Sequence, residues 1–375
     1  MRVGINLLWL VPGVVGGSEE YAVRLLRAFR NWDESARDRF VLFVNRRFSS
    51  AHPQIVDSFE VCSAPVDGGS RAARIAAEHS WLQRRLRKLG VGVVHHLGGT
   101  TPLFESTRSI VTVHDVQPLA HPENFGFAKR AWLRLVLPRS VERAGAVVTL
   151  SRFTRDDLIS RVGVAASRVH VIRPGVDPPD PAESTPERLA AARRAYSLEG
   201  ESFFLYPAIT YTHKNHLVLV RALALSRVRS RALLVFCGGA AEAEQPIAEE
   251  ARRLGVADRI RRLGRIRRDH LDALYHSAAG LLFPSRFEGF GLPLVEAMVR
   301  GCPVVAADAA ALPEVHGGAG LSVHPDDVEG WAAAMELLLD DTDEAERLRL
   351  AGIRRAEDFS WEVAVRRHLE LYGAS

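Results

Sequence analysis

Cysteine is scarce in this chain: Cys62, Cys237 and Cys302 lie far apart and none forms a CxxC pair. Their spacing argues against both a disulfide framework and a zinc knuckle and fits a reducing compartment. No segment offers about 18 uninterrupted apolar residues, so no membrane-spanning helix is expected. A basic-then-apolar leader is also missing, because Val3-Gly4-Ile5-Asn6-Leu7-Leu8 already reads as a strand. The expectation is a soluble, unsecreted, cytoplasmic protein. Tracts of Gln, Ser or Pro are absent too, and with 47% hydrophobic and 25% charged residues the composition points away from disorder.

What is present is length and patterned charge. At 375 residues the chain exceeds one ordinary core, and two domains of roughly 180 residues are the natural division. The net charge of +4 hides an asymmetry: residues 1–178 carry 25 Lys/Arg against 16 Asp/Glu, so +9, and the remainder carries 24 against 29, so −5. A basic front half could touch an anionic membrane or an acidic acceptor, or form an arginine-rich solvated face. Its arginines are not interleaved with an aromatic recognition motif, so no nucleic-acid partner is expected.

The front half alternates apolar runs with helical stretches: 3–8 then 18–30, 40–44 then 71–89, 91–96, 110–113 then 128–143, 146–150 then 152–161. That rhythm predicts βα units and a parallel sheet. Residues 174–188, rich in Pro and Gly, read as a linker. Beyond it Phe203–Tyr206, a helix over 216–226, Ala232–Phe236, Gly280–Phe283 and Pro303–Ala306 predict a second sheet. Helices are expected over 327–339 and 343–372, the last carrying Phe359, Trp361, Val365, Leu369 and Tyr372. The reading is an α/β protein with an N-terminal domain over 1–178, a C-terminal domain over 179–358, and a segment 359–375 that crosses back to the first. Two Rossmann-like doubly wound sheets facing each other across a cleft would bind ligand at their carboxyl edges.

Four motifs carry chemistry. Gly16-Gly17-Ser18-Glu19-Glu20-Tyr21 follows the first strand and opens a helix. Its glycines let a backbone approach a ligand and leave amides for an anion, although a plain tight turn uses the same residues. Ile110–Val113 delivers His114-Asp115 at a strand end, where His114 could donate to a ligand hydroxyl or sit satisfied in the core, and Asp115 could brace it or cap the turn. In Tyr206–His216, Lys214 precedes a helix and can meet a diphosphate as a point charge; a surface lysine would read the same way. The strongest motif is Pro284–Met298, in which Glu288 and Glu296 bracket a glycine-rich turn. Gly289 and Gly291 free amides for phosphate or hydroxyl oxygens, and a carboxylate suits paired hydroxyls. A capping glutamate followed by a surface helical one is the alternative.

Together, Glu288-x7-Glu296 with Phe290-Gly291-Leu292-Pro293, Lys214-Asn215, Gly16-Gly17 and His114-Asp115 resemble the GT4 family of retaining GT-B glycosyltransferases. The likeness runs over nearly the whole chain and adds Leu150–Thr154, Pro174–Asp177, Arg262-Leu263-Gly264 and Phe359-Ser360-Trp361. The resemblance implies that Glu296 holds the ribose hydroxyls, that Lys214 holds the diphosphate, and that Glu288 with the Phe290-Gly291-Leu292 backbone holds the donor sugar. His114 would stand near the reacting carbon. Many relatives carry an arginine about five residues before the lysine; here Ala208-Ile209-Thr210 supplies no cation, so phosphate binding leans on Lys214, helix-start amides and Thr210. Gly238-Gly239 and Gly264-Arg265 would meet the nucleobase. The Tyr206–His216 form is similar to that of GDP-mannose-dependent mannosyltransferases.

The implied activity is transfer of a hexose, mannose from GDP-mannose before any UDP-sugar, to a glycan, lipid-linked or small-molecule acceptor. Loops 46–70, 97–108 and 117–128 would serve that acceptor. Charge on the leaving diphosphate would be met by Lys214 and amides without a metal or any other cofactor, since no DxD clamp stands at the cleft and Asp326-Asp327 reads as a helix cap. Glu288 would stabilise rather than attack. A GT-B epimerase or phosphorylase, or a non-catalytic sugar-nucleotide-binding subunit, would share the sheets; the full residue set favours transfer.

Overall fold

A computed structural model describes residues 1–14, 16–32, 38–105, 107–124, 126–182 and 184–373. Residues 106 and 125 of the expected acceptor loops, 183 of the expected linker and 374–375 of the terminal segment lie outside these. The chain divides into two compact units, residues 1–175 with 360–375, and residues 176–359. The crossings fall at Gly175 and Phe359, where the sequence reading put 178 and 358.

The first unit is built on strands β1 (Arg2–Leu7), β2 (Phe40–Val44), β3 (Glu60–Ser63), β4 (Val91–His96), β5 (Arg108–Val113), β6 (Ala146–Thr149) and β7 (Val169–Val171). They form one parallel sheet in the order β3-β2-β1-β4-β5-β6-β7. Strand β2 is buried at every position, as a central parallel strand covered on both faces must be. The order reverses between β1 and β4, and such a reversal opens a crevice at the strands' carboxyl ends.

The second unit holds β8 (Ser202–Pro207), β9 (Ala232–Cys237), β10 (Ile260–Gly264), β11 (Gly280–Phe283), β12 (Val304–Ala307) and β13 (Leu321–Val323), ordered β10-β9-β8-β11-β12-β13 and parallel. Here the reversal falls between β8 and β11. Strands β3, β7, β10 and β13, unread in the sequence, are the edges of the two sheets. An edge strand pairs on one side and tolerates polar residues such as Glu60 or Arg261, so its apolar run is weak.

Two expected helices are broken. The stretch 71–89 is a helix (Arg71–Ala77), a π turn (Glu78–Leu82) and a second helix (Gln83–Lys88). The stretch 343–372 is two helices, Thr342–Ala356 and Trp361–Tyr372, with Phe359 in the break. Ser360 caps the last helix by accepting from the Val363 amide at 3.3 Å. The break has a packing cause. Phe359 is buried in the second unit, edge-on to Phe290 at 5.6 Å and under Arg355, whereas Trp361 and Tyr372 pack in the first, against Tyr21 and against Phe29 and Phe40. The expected linker is also shortened, because Thr185 caps a helix that begins at Pro186.

Candidate active site

The second sheet's reversal brings together the turns that leave β8 and β11. After β8 the chain makes a 3-10 turn over Thr212–Lys214, and Asn215, in the left-handed region at φ 58°, hands it to the helix His216–Leu225. Asn215 Nδ2 donates to the Pro325 carbonyl at 2.6 Å and Tyr206 Oη to the Lys214 carbonyl at 2.8 Å, so Lys214 is fixed by its own backbone. The two turns are joined directly, the Arg286 amide donating to the His213 carbonyl at 2.9 Å. Lys214 Nζ forms an ion pair with Glu288 Oε1, on side chains that are largely but not fully buried. Burial and then the Glu288 charge push the Tyr206 hydroxyl well above its usual range, so it stays a donor. His216, packed between Tyr206 and Phe236, is held neutral by burial and by Arg262 and Lys214, down to about 3.

Gly291 begins the helix Leu292–Val299 at φ +95°, and a Cβ there would stand 2.8 Å from Leu312 Cδ2. Phe290 is buried and Leu292 half-buried at that helix start. Glu288, Gly289, Phe290, Gly291 and Leu292 thus form one turn whose amides lie at a helix N-terminus. Glu296, one turn along the helix, is buried. Its Oε1 accepts from Arg268 Nη1 at 2.7 Å and its Oε2 from Tyr275 Oη at 3.1 Å. Arg268 and Arg300 also bridge to Asp272.

Thr210 has another task than the one expected. It is fully buried, its hydroxyl donating to Glu244 Oε2 at 2.9 Å and accepting from the Ala241 amide at 2.7 Å. It ties the turn after β8 to the turn after β9 rather than offering an oxygen to phosphate. Beside it, Gly238 at φ +127° lies so close to the Ala208 carbonyl that a Cβ would stand 2.4 Å from its oxygen. Gly264 closes β10 at φ +65°, and the Arg265 guanidinium flanks Gly239.

In the first unit His114 directly follows β5. Its Nε2 lies 2.8 Å from the Leu97 carbonyl, and its ring meets Tyr21 edge-on at 5.3 Å. Burial holds the imidazole below its usual value, offset in part by that carbonyl. A carbonyl can only accept, so Nε2 carries the proton and Nδ1 of the neutral ring is an acceptor. The Nε2 proton is thus taken by a core carbonyl, which is the satisfied arrangement that stood as the alternative to donation. Asp115 accepts from the Gln117 amide at 2.9 Å and caps the turn. Gly16 sits at φ 62° and Gly17 opens the helix Gly17–Trp32; a Cβ on Gly17 would meet nothing within 4 Å, so packing does not demand glycine there.

A sequence profile for "Glycosyl transferases group 1" matches residues 190–355, and one for "Glycosyltransferase Family 4" matches residues 15–179. The O-antigen chain mannosyltransferase B of Escherichia coli is 30% identical over 271 residues, 71% of this chain and 70% of that one. The chain belongs to glycosyltransferase family 4. The O-antigen chain mannosyltransferase RfbU of Salmonella typhimurium is 29% identical to this glycosyltransferase over 265 residues, 68% of each chain. In fold, the enzyme is similar to Anabaena Alr3699/HepE in complex with UDP and glucose, at TM-score 0.78 over 100% of both chains and 19% identity. Its two Rossmann-like sheets are those of the GT-B glycosyltransferases.

For this glycosyltransferase the sequence reading missed Arg268 and Tyr275, which hold Glu296. Both lie on the helix Arg268–Ser277 between β10 and β11, and no local pattern links them to a residue more than 20 positions away. No helix of the described residues is long and apolar enough to cross a membrane.

Proposed function

We propose that this glycosyltransferase transfers mannose from GDP-mannose, with retention and without a metal, to a hydroxyl of a glycan acceptor. The observation that carries the reading is the meeting of Lys214 and Glu288 where the second sheet reverses. Breaking the donor's anomeric C–O bond leaves positive charge on the sugar and negative charge on the departing diphosphate. Lys214, beside the N-terminus of the helix His216–Leu225, suits the diphosphate; Glu288 suits the sugar. Attack by the acceptor hydroxyl on the face the nucleotide leaves would preserve the anomeric configuration. Glu296 would take the ribose hydroxyls and Arg265 would border the nucleobase. Mannose and a glycan acceptor are supported by the two O-antigen chain mannosyltransferases. The GDP choice rests on the likeness of Tyr206–His216 to GDP-mannose users.

Calorimetric titration with GDP, UDP and ADP tests the donor. GDP should bind most tightly; a preference for UDP would replace GDP-mannose with a UDP-sugar. The anomeric configuration of the product, read by NMR, tests retention.

A peripheral place on the cytoplasmic face of an anionic membrane belongs to the same reading. The helix Phe127–Arg143 in the basic unit exposes Phe127 and Leu135 beside Arg130, Arg134 and Arg139, and Arg130 lies over the Phe127 ring. Apolar groups set among arginines match an anionic bilayer surface. Cosedimentation with phosphatidylglycerol vesicles, absent with phosphatidylcholine and lost in Arg134→Glu/Arg139→Glu, is the expected result; equal binding to both lipids would remove it.

A further inference from the structure

Asn6 and His96 are register partners near the carboxyl ends of β1 and β4, where the first sheet reverses, and both are buried. Their hydrogen bonds fix the protons between them. The Leu8 amide donates to Asn6 Oδ1 at 3.0 Å, so Asn6 Nδ2 is the donor that reaches Glu78 Oε1 at 2.9 Å and His96 Nδ1 at 3.0 Å. With Nδ1 accepting, a neutral His96 carries its proton on Nε2 and donates it to Glu105 Oε2 at 3.0 Å. The other oxygen, Glu105 Oε1, is buried and has no partner among the described residues, on a side chain only 7% exposed. A buried carboxylate oxygen without a donor is strongly unfavourable, so a donor belongs there.

The surrounding chain holds that oxygen in place. The π turn Glu78–Leu82 supplies Glu78 to Asn6 and His79 to the loop, His79 Nε2 accepting from the Leu103 amide at 3.0 Å. Such turns concentrate at functional sites. Ser140 Oγ accepts from the Thr101 amide at 2.9 Å, and Arg143 donates to the Leu103 carbonyl. Phe104, next to Glu105, is 77% exposed, so the loop reaches solvent. Leu97, which follows His96, is the residue whose carbonyl fixes His114.

We propose that Glu105 binds a hydroxyl of the acceptor, with His96 and Asn6 as positioning residues. The proposal rests on glycosyl transfer and not on the donor assignment. With the carboxyls of Glu78 and Glu105 both in it, the cluster favours an uncharged, hydroxyl-bearing acceptor and disfavours a phosphorylated one.

The test is calorimetric titration of the full chain, with and without GDP, using octyl α-mannoside, octyl α-glucoside, octyl α-galactoside and mannose 1-phosphate. At least one neutral glycoside should bind. Glu105→Gln should weaken it about 10- to 100-fold, the loss of a charged hydrogen bond, with GDP affinity and thermal midpoint little changed. His96→Gln, whose amide can accept from Asn6 and donate to Glu105, should keep glycoside binding that His96→Ala loses. Wild-type affinity in Glu105→Gln, tighter binding of mannose 1-phosphate than of the glycosides, or no glycoside binding to the wild-type chain would overturn the proposal. Failure of GDP to bind beside a positive glycoside result would count against the donor reading alone.

Discussion

A lysine held against a glutamate presents little field to an incoming anion until that pair opens. Lys214 and Glu288 neutralise each other, so under the proposed function donor binding exchanges Glu288 for phosphate as the partner of Lys214. Glu288→Gln should therefore bind GDP at least as tightly as the wild type while losing turnover, and Lys214→Ala should lose both. The turnover loss for Lys214→Ala should be on the order of 2–4 kcal/mol of transition-state stabilisation. Near-wild-type kinetics for Lys214→Ala would remove its role. Because Lys214 and amides are assigned the leaving group, activity should survive EDTA; chelation that abolishes turnover, with recovery on adding magnesium, would overturn the metal-free mechanism. His114 gives a pH dependence. Its value is lowered below 6.5, so the ring is neutral at pH 7 and gains its second proton only in more acidic solution, where Nδ1 stops accepting. If the acceptor role is right, the acid limb of kcat/KM should fall below pH 6.5, and His114→Phe should remove it; a limb at or above pH 6.5 would contradict the assignment.

At the scale of the element, the site consists of turns at carboxyl edges, and their glycines divide into two kinds. Gly238 is required by the fold: φ is +127° and a Cβ would stand 2.4 Å from the Ala208 oxygen. Gly238→Ala should cost about 1–3 kcal/mol of stability and displace the turn that leads to Lys214, raising the donor KM. Gly17 has no such constraint. Gly17→Ala should leave stability unchanged or raise it by up to about 1 kcal/mol, since alanine favours a helix. A simultaneous loss of activity would show that the space is kept for a ligand, and full activity would show that it is not. Denaturation midpoints and steady-state kinetics on the two variants separate these cases.

Each unit of the molecule buries a neutral histidine: His368 in the first, held at about 4, and His216 in the second, held at about 3, both chiefly by burial. The unfolded chain binds these protons near 6.5 and the folded chain resists them. Stability is therefore full above about pH 6.5 and declines as pH falls toward the folded values. At pH 5 each group should cost about 2 kcal/mol relative to its state above pH 7. Urea unfolding at pH 7.5 and pH 5 should show the drop, and His368→Gln should lessen it; equal midpoints at the two pH values would refute the linkage.

The sequence by itself determined the two parallel sheets, because central strands buried on both faces must be written as continuous apolar runs such as Phe40–Val44. It also determined Lys214, Glu288 and Glu296 as candidates, since each stands in a motif between a strand and the following helix whose residues and spacing are local. Lys214 carried a further local signal: the chain's other lysines are Lys88 and Lys129, arginine serving nearly everywhere else. The tertiary structure decided what depends on neighbours distant in the chain. It paired Lys214 with Glu288 across the β8/β11 reversal, turned Thr210 inward to Glu244, and fixed His114 as an acceptor through a carbonyl 17 positions away. It also assembled Asn6, Glu78, His96 and Glu105 from four segments. Hydrogen-bond roles of this kind follow from which partner a group meets, and sheet order sets that meeting after the chain has closed on itself.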